Sequence, residues 1–346
     1  MIQARIRKAF SGGLTLDVEL QAAGGVTVLF GPGGAGKTAT LEALAGLIKP
    51  DQGRVLIGDR ILYDSGAGVD LPARLRPCAY LPGGLALFPH MTLRENLVFA
   101  AAARRLARLE RHRRVNELIE RFALRGVSDR RPAQVSGEER LRCAVARALV
   151  AQPDLLLVDG PLRAEMHPLL RRVRVEFDVA MLVATSELED CLELGDEMLV
   201  FSAGRVIQSG RPCEVIERPE TVEAARLLGN FNLLPAEISA LDPAGKSSRV
   251  RLGEAELAGP YFPGRFRGDR VTLCVRRDQL LALPATGRPG SHQVAARLLH
   301  VVERPGTVCL HFDGEIVAEL SRAEFEQRKH ARDWVVEFPP ACLRAL

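Results

Sequence analysis

The sequence has no apolar run that approaches the roughly 18 residues needed to span a bilayer, which excludes a helical membrane protein. Its first ten residues also lack the apolar segment of a secretory signal. Only seven cysteines occur, an odd number, and none has CxxC or zinc-ribbon spacing. We therefore expect reduced thiols without a disulfide framework, in a cytoplasmic protein that reaches any membrane through partner subunits.

Aromatic residues are also scarce, at 5% of the chain. Residues 101–150 are rich in arginine, and such an excess of positive charge is one mark of a nucleic-acid surface. However, Phe122 is alone among them as an aromatic residue on which a base could stack. We interpret the segment as the solvated face of an arginine-rich helical region, and we expect no nucleic-acid partner.

What the sequence does contain is a repeated alternation of short apolar runs with helical patterns over residues 1–231. At 346 residues, with 47% apolar and 26% charged residues, the chain is long enough for two globular domains. The apolar runs predict buried parallel strands, and the alternation predicts an α/β domain. These runs are Val26–Phe30, Leu155–Val158, Met181–Ala184 and Met198–Phe201.

Two further regions have a different pattern of apolar residues. Residues of about 90–150 show helical spacing without strand signals, which predicts a helical subdomain inserted into the α/β domain. Residues 232–346 alternate over short runs between glycine and proline turns, which predicts a small β-rich domain. Its clearest segments are the runs Val271–Val275, Val294–Val302 and Thr307–Phe312 and the predicted loop Leu283–Gly290.

A phosphate-binding loop is the most specific motif in the chain. The segment Gly31–Thr38 fits G-x-x-x-x-G-K-[ST] between a predicted strand and a predicted helix, which is the context the motif requires. Glycines allow backbone N–H groups to surround phosphates at a helix N-terminus, while Lys37 reaches the β- and γ-phosphates. Thr38 and Asp159, which ends an apolar strand, are the predicted ligands of Mg²⁺.

Three later segments give the family resemblance. They are Leu87–Asn96 (LFPHMTLREN), Gln134–Leu149 (QVSGEERLRCAVARAL) and Gln152–Leu162 (QPDLLLVDGPL). In this order and spacing they resemble the Q-loop region, signature motif and Walker B motif of ABC transporter ATPases. The resemblance implies an α/β P-loop NTPase fold, the cofactors ATP and Mg²⁺, a membrane permease partner on the inner face of the membrane, and a head-to-tail dimer. It places ATP at Phe10, Gly31, Pro32, Gly33, Gly34, Ala35, Gly36, Lys37, Thr38, Ala39 and Asp159, with Ser136 and Gly137 facing the partner's nucleotide.

Within that family, the chain is similar to the ATP-binding subunits of molybdate importers. The segment Gly58–Pro72 resembles a stretch typical of this subfamily, and residues 232–346 resemble its small barrel-like Mop/TOBE domain, which is OB-like. That domain binds oxyanions in the family, at a segment corresponding to Gly290–Val294. Here Gln293 stands at the family's Asn position, and Pro339 and Pro340 replace residues that offer an N–H and a charge, so oxyanion binding is disfavoured.

The chain departs from the family at catalytic positions. Gly83 stands at the Q-loop glutamine, Gly160 at the general-base glutamate and Ser186 at the switch histidine. Loss of a general base typically removes about 10²–10⁴ in rate, so we expect slow hydrolysis. Further departures are Met166 at the D-loop aspartate, and Glu138 and Glu139 in the signature, where added negative charge opposes a triphosphate. Glu165 and Glu187 are candidate substitute bases, and the sequence favours neither.

Three functions therefore remain open from the sequence. The first is an ATP-binding subunit of a molybdate-type importer, working as a homodimer or heterodimer on a permease. The second is a non-hydrolysing regulatory module that pairs with an intact ABC ATPase. The third, a soluble ABC protein of translation or DNA repair, is weak because paired ATPase domains and long coiled coils are missing.

Overall fold

The computed structural model describes residues 1–103, 107–285 and 289–346. It divides into two compact units, Met1–Arg218 and Pro219–Leu346. The sequence placed this boundary between residues 231 and 232. The observed boundary is earlier because the helix Val222–Leu228 packs against strands of the second unit.

The first unit contains eleven strands and seven helices in its described residues. In chain order they are β1 (Ile2–Ala9), β2 (Thr15–Ala22), β3 (Val26–Phe30), α1 (Lys37–Ala45), β4 (Gln52–Ile57), β5 (Arg60–Asp64), β6 (Val69–Asp70), β7 (Cys78–Leu81), α2 (Leu93–Ala103), α3 (Arg108–Arg121), α4 (Gly137–Leu149), β8 (Leu155–Asp159), α5 (Met166–Phe177), β9 (Ala180–Thr185), α6 (Leu188–Leu194), β10 (Glu197–Ser202), β11 (Arg205–Gly210) and α7 (Pro212–Glu217). Single 3₁₀ turns lie at Ala73–Leu75, Arg125–Val127 and Pro132–Gln134.

A six-stranded sheet forms the centre of this unit, in the order β11-β10-β3-β9-β8-β7. Its five strands from β10 to β7 pair in parallel, and only the edge strand β11 is antiparallel. All five residues of β3 are buried, as expected for a strand covered on both faces. The four predicted strands are confirmed as β3, β8, β9 and β10.

A second sheet of five strands, β2-β1-β4-β5-β6, was not predicted. Its described pairings are all antiparallel. Buried and exposed residues alternate along β1 and β2, so the apolar face of the sheet packs into the core while the other face meets solvent. The subfamily-like segment Gly58–Pro72 supplies β5 and β6.

The predicted helical region is helical in the residues that the structure describes, which exclude 104–106. It consists of α2, α3 and α4 with two 3₁₀ turns. Glu110 forms ion pairs with Arg113 and Arg114, and Glu117 forms one with Arg121. Arginines of α3 are thus partly neutralised on the helix itself. Among the described residues, no helix is both long and apolar enough to cross a membrane.

The second unit is mainly β structure. Its elements are α8 (Val222–Leu228), β12 (Phe231–Asp242), β13 (Ser247–Leu252), β14 (Ala255–Pro260), β15 (Arg270–Arg276), β16 (Leu281–Pro284), β17 (Gln293–Ala296), β18 (Leu298–Glu303), β19 (Thr307–Phe312), β20 (Val317–Ser321), α9 (Arg322–Arg328), β21 (Trp334–Glu337) and β22 (Arg344–Ala345), with 3₁₀ turns at Arg277–Gln279, Asp313–Glu315 and Pro340–Cys342. The strands form three sheets, β14-β13-β12-β15-β22, β16-β21-β17 and β18-β19-β20, around one apolar core.

The β-rich prediction for this unit agrees with the structure at β15 and β19. The run Val294–Val302 is not one strand, because Arg297 breaks it by donating its backbone N–H to Asp313 Oδ1 at 2.9 Å. The predicted loop Leu283–Gly290 begins inside β16, and its residues 286–288 lie outside the described residues. The described ranges include all seven cysteines, which are free thiols, four of them buried.

Candidate functional site

The phosphate-binding loop joins the end of β3 to the start of α1. Gly34 and Gly36 have φ of 79° and 103°, in the left-handed region that glycine adopts without a steric penalty. A Cβ on Gly36 would also lie 2.8 Å from Leu16 Cδ1. The loop therefore needs glycine at position 36 for both conformation and space, and it leads into a helix N-terminus that favours an anion.

The Lys37 ammonium group lies inside this loop. Its Nζ donates to the carbonyl oxygens of Gly31 at 2.5 Å and Pro32 at 2.8 Å. Burial lowers the pKa of Lys37, and the negative charge of Asp159 opposes that shift. A phosphate group would offer this half-buried cation a stronger acceptor than two neutral carbonyls.

Thr38 and Asp159, the two predicted magnesium ligands, lie side by side. Thr38 Oγ1 donates to Asp159 Oδ1 at 2.9 Å, and the hydroxyl of Tyr80 donates to Asp159 Oδ2 at 3.0 Å. A threonine hydroxyl and a carboxylate are hard oxygen donors, so this pair fits the chemistry of Mg²⁺. Parallel pairing of β7 with β8 brings Tyr80 to Asp159.

Two charged or polar neighbours of Asp159 were missed by the sequence interpretation. Burial, and then the proximity of Asp159, raises the pKa of Tyr80, so the phenol stays a proton donor. Burial, followed by the same carboxylate, also raises the pKa of Glu42. Glu42 lies one helical turn after Thr38, and this i,i+4 spacing was the available signal for a shared face.

Gly83, Gly160 and Ser186, three positions predicted to depart from the family, follow the carboxyl ends of β7, β8 and β9. Gly83 and Gly160 are packed so closely that a Cβ on Gly83 would overlap the carbonyl oxygen of Gly160. A Cβ on Gly160 would lie 2.7 Å from the carbonyl oxygen of Ala184. Ser186 is exposed, and its hydroxyl donates to Glu187 Oε1 at 3.2 Å. Backbone atoms thus occupy the space that a Cβ atom at position 83 or 160 would need.

The D-loop position and the two candidate substitute bases differ in burial. Met166 is buried at the start of α5, so it contributes to packing. Glu165 and Glu187 are exposed. No described hydrogen bond or ion pair joins either of these carboxylates to Thr38 or Asp159.

The signature segment forms a helix cap. Ser136 is the N-cap of α4, and its Oγ accepts from the Glu139 backbone N–H at 3.2 Å. In return Glu139 Oε2 accepts from the Ser136 backbone N–H at 2.7 Å, and this bond, then the Ser136 hydroxyl, lowers the pKa of Glu139. Glu138 lies 3.8 Å from Arg142. Glu139 therefore stabilises α4, while Ser136 and Gly137 remain at its start.

Phe10, the predicted adenine-stacking residue, lies in the turn between β1 and β2. Its backbone N–H donates to the carbonyl oxygen of Leu14 at 2.9 Å. The side chain is half-buried against the core of the first unit. Phe10 thus keeps a partly exposed ring, as stacking requires, although it also contributes to packing.

A partly buried polar network that includes Thr185, the chain neighbour of Ser186, was also missed. His167 Nε2 lies 2.7 Å from Asp190 Oδ1, and His167 Nδ1 lies 2.9 Å from Glu193 Oε2. The Thr185 hydroxyl donates to the other oxygen of Asp190. These contacts connect α5 and α6 to the end of β9 and so fix the backbone that presents Ser186.

Arg76 supports the phosphate-binding helix from its other end. Its side chain is 1% exposed and donates to the carbonyl oxygens of Ala43 at 2.7 Å and Leu44 at 2.8 Å in the last turn of α1. It also donates to Leu71 O at 2.8 Å and lies 3.5 Å from Asp70. A buried guanidinium thus satisfies carbonyls at the negative end of α1.

In the predicted oxyanion segment of the second unit, the Gln293 side chain is hydrogen-bonded, whereas the buried Nδ1 of His292 has no described hydrogen-bond partner. Gln293 Oε1 accepts from the Gly290 N–H at 3.1 Å, and Gln293 Nε2 donates to Glu337 at 3.0 Å. Gln293 lines a cavity of about 720 Å³, whose charged lining in the described residues is Glu254, Glu256 and Asp313. The cavity lining thus places three carboxylates near Gln293.

Comparison with known proteins defines the class first. The ABC transporter family model matches residues 15–163. Among solved structures, cbiO1 of Clostridium perfringens, part of the ABC transporter complex cbiONQ, is similar with a TM-score of 0.54 and 24% identity, covering 65% of this chain and 94% of that one. This likeness supports the ABC ATPase fold of the first unit.

Two curated relatives have higher identity. The molybdenum import ATP-binding protein ModC of Rhodospirillum rubrum is 33% identical over 71% of this chain and 74% of its own length. The Fe(3+) ions import ATP-binding protein FbpC of Rhizobium etli is 33% identical over 85% of this chain and 82% of its own. The chain belongs to the ABC transporter ATP-binding family, in the subfamily of the molybdenum import ATP-binding proteins.

Proposed function

We propose that this chain binds Mg-ATP and, as the ATP-binding subunit of an importer, transmits nucleotide occupancy to a membrane permease. The observation that carries this proposal is the 2.9 Å contact between Thr38 Oγ1 and Asp159 Oδ1 beside an intact phosphate-binding loop. Relatives that import molybdenum favour a molybdate-type oxyanion as cargo, and an Fe(3+) relative supplies the alternative.

The chain's own groups would each have a defined part in binding. Backbone N–H groups around Gly34 and the N-terminus of α1 would surround the phosphates. Lys37 would exchange its loop carbonyls for phosphate oxygens. Thr38 and Asp159 would hold the metal ion, which neutralises phosphate charge when bound.

Hydrolysis is proposed to be slow because the chain has no side chain at the general-base position. Gly160 offers neither a carboxylate nor room for one, since a Cβ there would lie 2.7 Å from Ala184 O. Gly83 is closed in the same way by the main chain of Gly160. Ser186 has a hydroxyl where the family has an imidazole, so it is a weak proton acceptor.

The test measures nucleotide binding and hydrolysis on one purified preparation. Titration with a fluorescent ATP analogue in Mg²⁺ is expected to give saturable binding that Lys37→Ala removes. Lys49→Ala is the matched control, because Lys49 is an exposed lysine paired with Asp70 at 3.3 Å. Phosphate release is expected to stay below about one per second, the low end of ordinary enzymes.

Two results would overturn the proposal. No saturable binding by the unmodified chain at millimolar nucleotide would contradict a nucleotide site. Turnover above about one per second that Lys37→Ala abolishes would contradict slow hydrolysis. For the cargo, coexpression with a permease encoded nearby and uptake of labelled molybdate against ferric iron distinguishes the two relatives' substrates.

A second candidate is a non-hydrolysing module that pairs with an intact ABC ATPase. The packing of Gly83 and Gly160 favours it, because neither position has room for a side chain, while Lys37, Thr38 and Asp159 are retained. In such a pair this chain would hold ATP, and the partner would supply the hydrolysing residues.

A further inference from the structure

Asp159 is held by two hydroxyl groups from two different elements. Thr38, in the first turn of α1, donates to Oδ1 at 2.9 Å, and Tyr80, in β7, donates to Oδ2 at 3.0 Å. Each carboxylate oxygen therefore has one protein donor, and free lone pairs remain on both oxygens. The Tyr80 contact fixes the plane of the carboxylate independently of the threonine.

The position of Tyr80 is set by the sheet. Tyr80 pairs with Leu157 in the parallel register of β7 and β8, two residues before Asp159 on the neighbouring strand. Its ring is half-buried against the core, so the phenol has few alternative orientations. The register and the packing of the ring thus direct its hydroxyl to Asp159 Oδ2.

The neighbourhood gives this donor a specific task. Without the phenol, Thr38 alone would hold the carboxylate, and Asp159 Oδ2 would have no described protein donor. With it, the carboxylate stays beside the threonine hydroxyl, where a divalent ion would find two hard oxygen ligands.

We propose that Tyr80 is a positioning residue for the magnesium site, because its hydroxyl holds Asp159 in the orientation that binds Mg²⁺ together with Thr38. The inference rests on the proposed Mg-ATP binding. It concerns only the ion-dependent part of nucleotide affinity, since Tyr80 has no described contact with the phosphate-binding loop.

The experiment compares Tyr80→Phe with Tyr63→Phe. Both substitutions remove one phenolic hydroxyl that donates a hydrogen bond, because Tyr63 donates to Pro50 O at 2.7 Å in the buried core. For each protein, the dissociation constant of a fluorescent ATP analogue is measured in millimolar Mg²⁺ and in EDTA, and Mg²⁺ is titrated at fixed nucleotide. Thermal unfolding without ligand monitors folding.

Tyr80→Phe is expected to raise the dissociation constant in Mg²⁺ about tenfold or more and to leave the value in EDTA unchanged, as the loss of one hydrogen bond to a charged group predicts. Tyr63→Phe is expected to change neither. An unchanged Mg²⁺ dependence in Tyr80→Phe would overturn the inference, and an equal loss in EDTA would show a purely structural role. If the unmodified chain does not bind in Mg²⁺, the proposed function itself fails.

Discussion

Gly83 and Gly160 pack main chain against main chain. A side chain on Gly83 would overlap the carbonyl oxygen of Gly160, whose own Cβ position is blocked by Ala184 O. Two positions at which the family resemblance predicts catalytic side chains are therefore closed by backbone. Restoring one of those side chains requires a change in the loop as well as in the residue.

We predict that Gly160→Glu destabilises the chain instead of restoring rapid hydrolysis. Overpacking against fixed main chain typically costs about 1–3 kcal/mol, and the displaced loop would not present the carboxylate correctly. Urea unfolding and phosphate release measure both effects. Gly84→Ala is the control, because a Cβ on Gly84 has no neighbour within 4 Å. Normal stability with turnover of several per second in Gly160→Glu would contradict this account.

We predict that Arg76→Leu lowers the free energy of unfolding by about 3 kcal/mol or more. The substitution leaves the carbonyls of Ala43 and Leu44 without their buried donor, and it removes one of the two ion pairs of Asp70. Arg74→Leu, which changes an exposed arginine two residues away, is expected to stay within about 0.5 kcal/mol of the parent. Equal effects of the two substitutions in urea unfolding would refute the role of Arg76.

We predict that Glu42→Gln increases stability at pH 7 and that the gain disappears toward pH 4. Because burial and Asp159 raise the pKa of folded Glu42, its contribution to folding is complete below the unfolded pKa of about 4.3 and is lost as pH rises. Glutamine avoids that loss. Unfolding measured between pH 4 and 8 checks the trend.

Glu139→Gln is the control for that experiment, because its effect on stability is expected to have the opposite sign and the opposite pH dependence. Its pKa is lowered by the Ser136 N–H, so its contribution is present above the unfolded pKa and is lost as pH falls. The substitution is expected to reduce stability at pH 7 and to have less effect in acid. A Glu42→Gln change that is independent of pH would rule out the electrostatic explanation.

We predict that the chain assembles best with a different, catalytically complete ABC ATPase. In a homodimer, both composite sites would combine Gly160 with a signature containing Glu138, which opposes the triphosphate by its charge. Coexpression with ATPases and permeases encoded nearby, followed by native mass spectrometry, measures the assembly. A stable ATP-dependent homodimer that supports uptake on a permease without another ATPase would exclude the heterodimer.

The sequence predicted the parallel sheet and the phosphate-binding loop because each depends on a local pattern. Val26–Phe30 is a continuous apolar run, and Gly31–Thr38 has fixed spacing. The antiparallel sheet was missed although residues alternate along Ile2–Ala9, since we interpreted the whole region as strand–helix alternation. The boundary between the units was misplaced because the packing partner of α8 lies in later strands.

Residues that act through long-range contacts were not predictable in the same way. Tyr80 precedes Asp159 by 79 positions, and their contact depends on the register between β7 and β8. Arg76 stands in a loop with no periodicity, so the sequence does not show which helix it reaches. The closeness of Gly83 to Gly160 is likewise invisible, because a glycine has no side chain whose type could suggest a partner.

The ion pairs of Asp70 connect the subfamily-like segment to the helix that begins the phosphate site. Asp70 lies 3.3 Å from Lys49 and 3.5 Å from Arg76, and Arg76 in turn holds the last turn of α1. Opening of the β5–β6 hairpin would therefore release the helix end as well, so the two should open as one cooperative unit in hydrogen exchange. A ligand that orders α1 would then slow amide exchange in β6, although no atom of that ligand touches it.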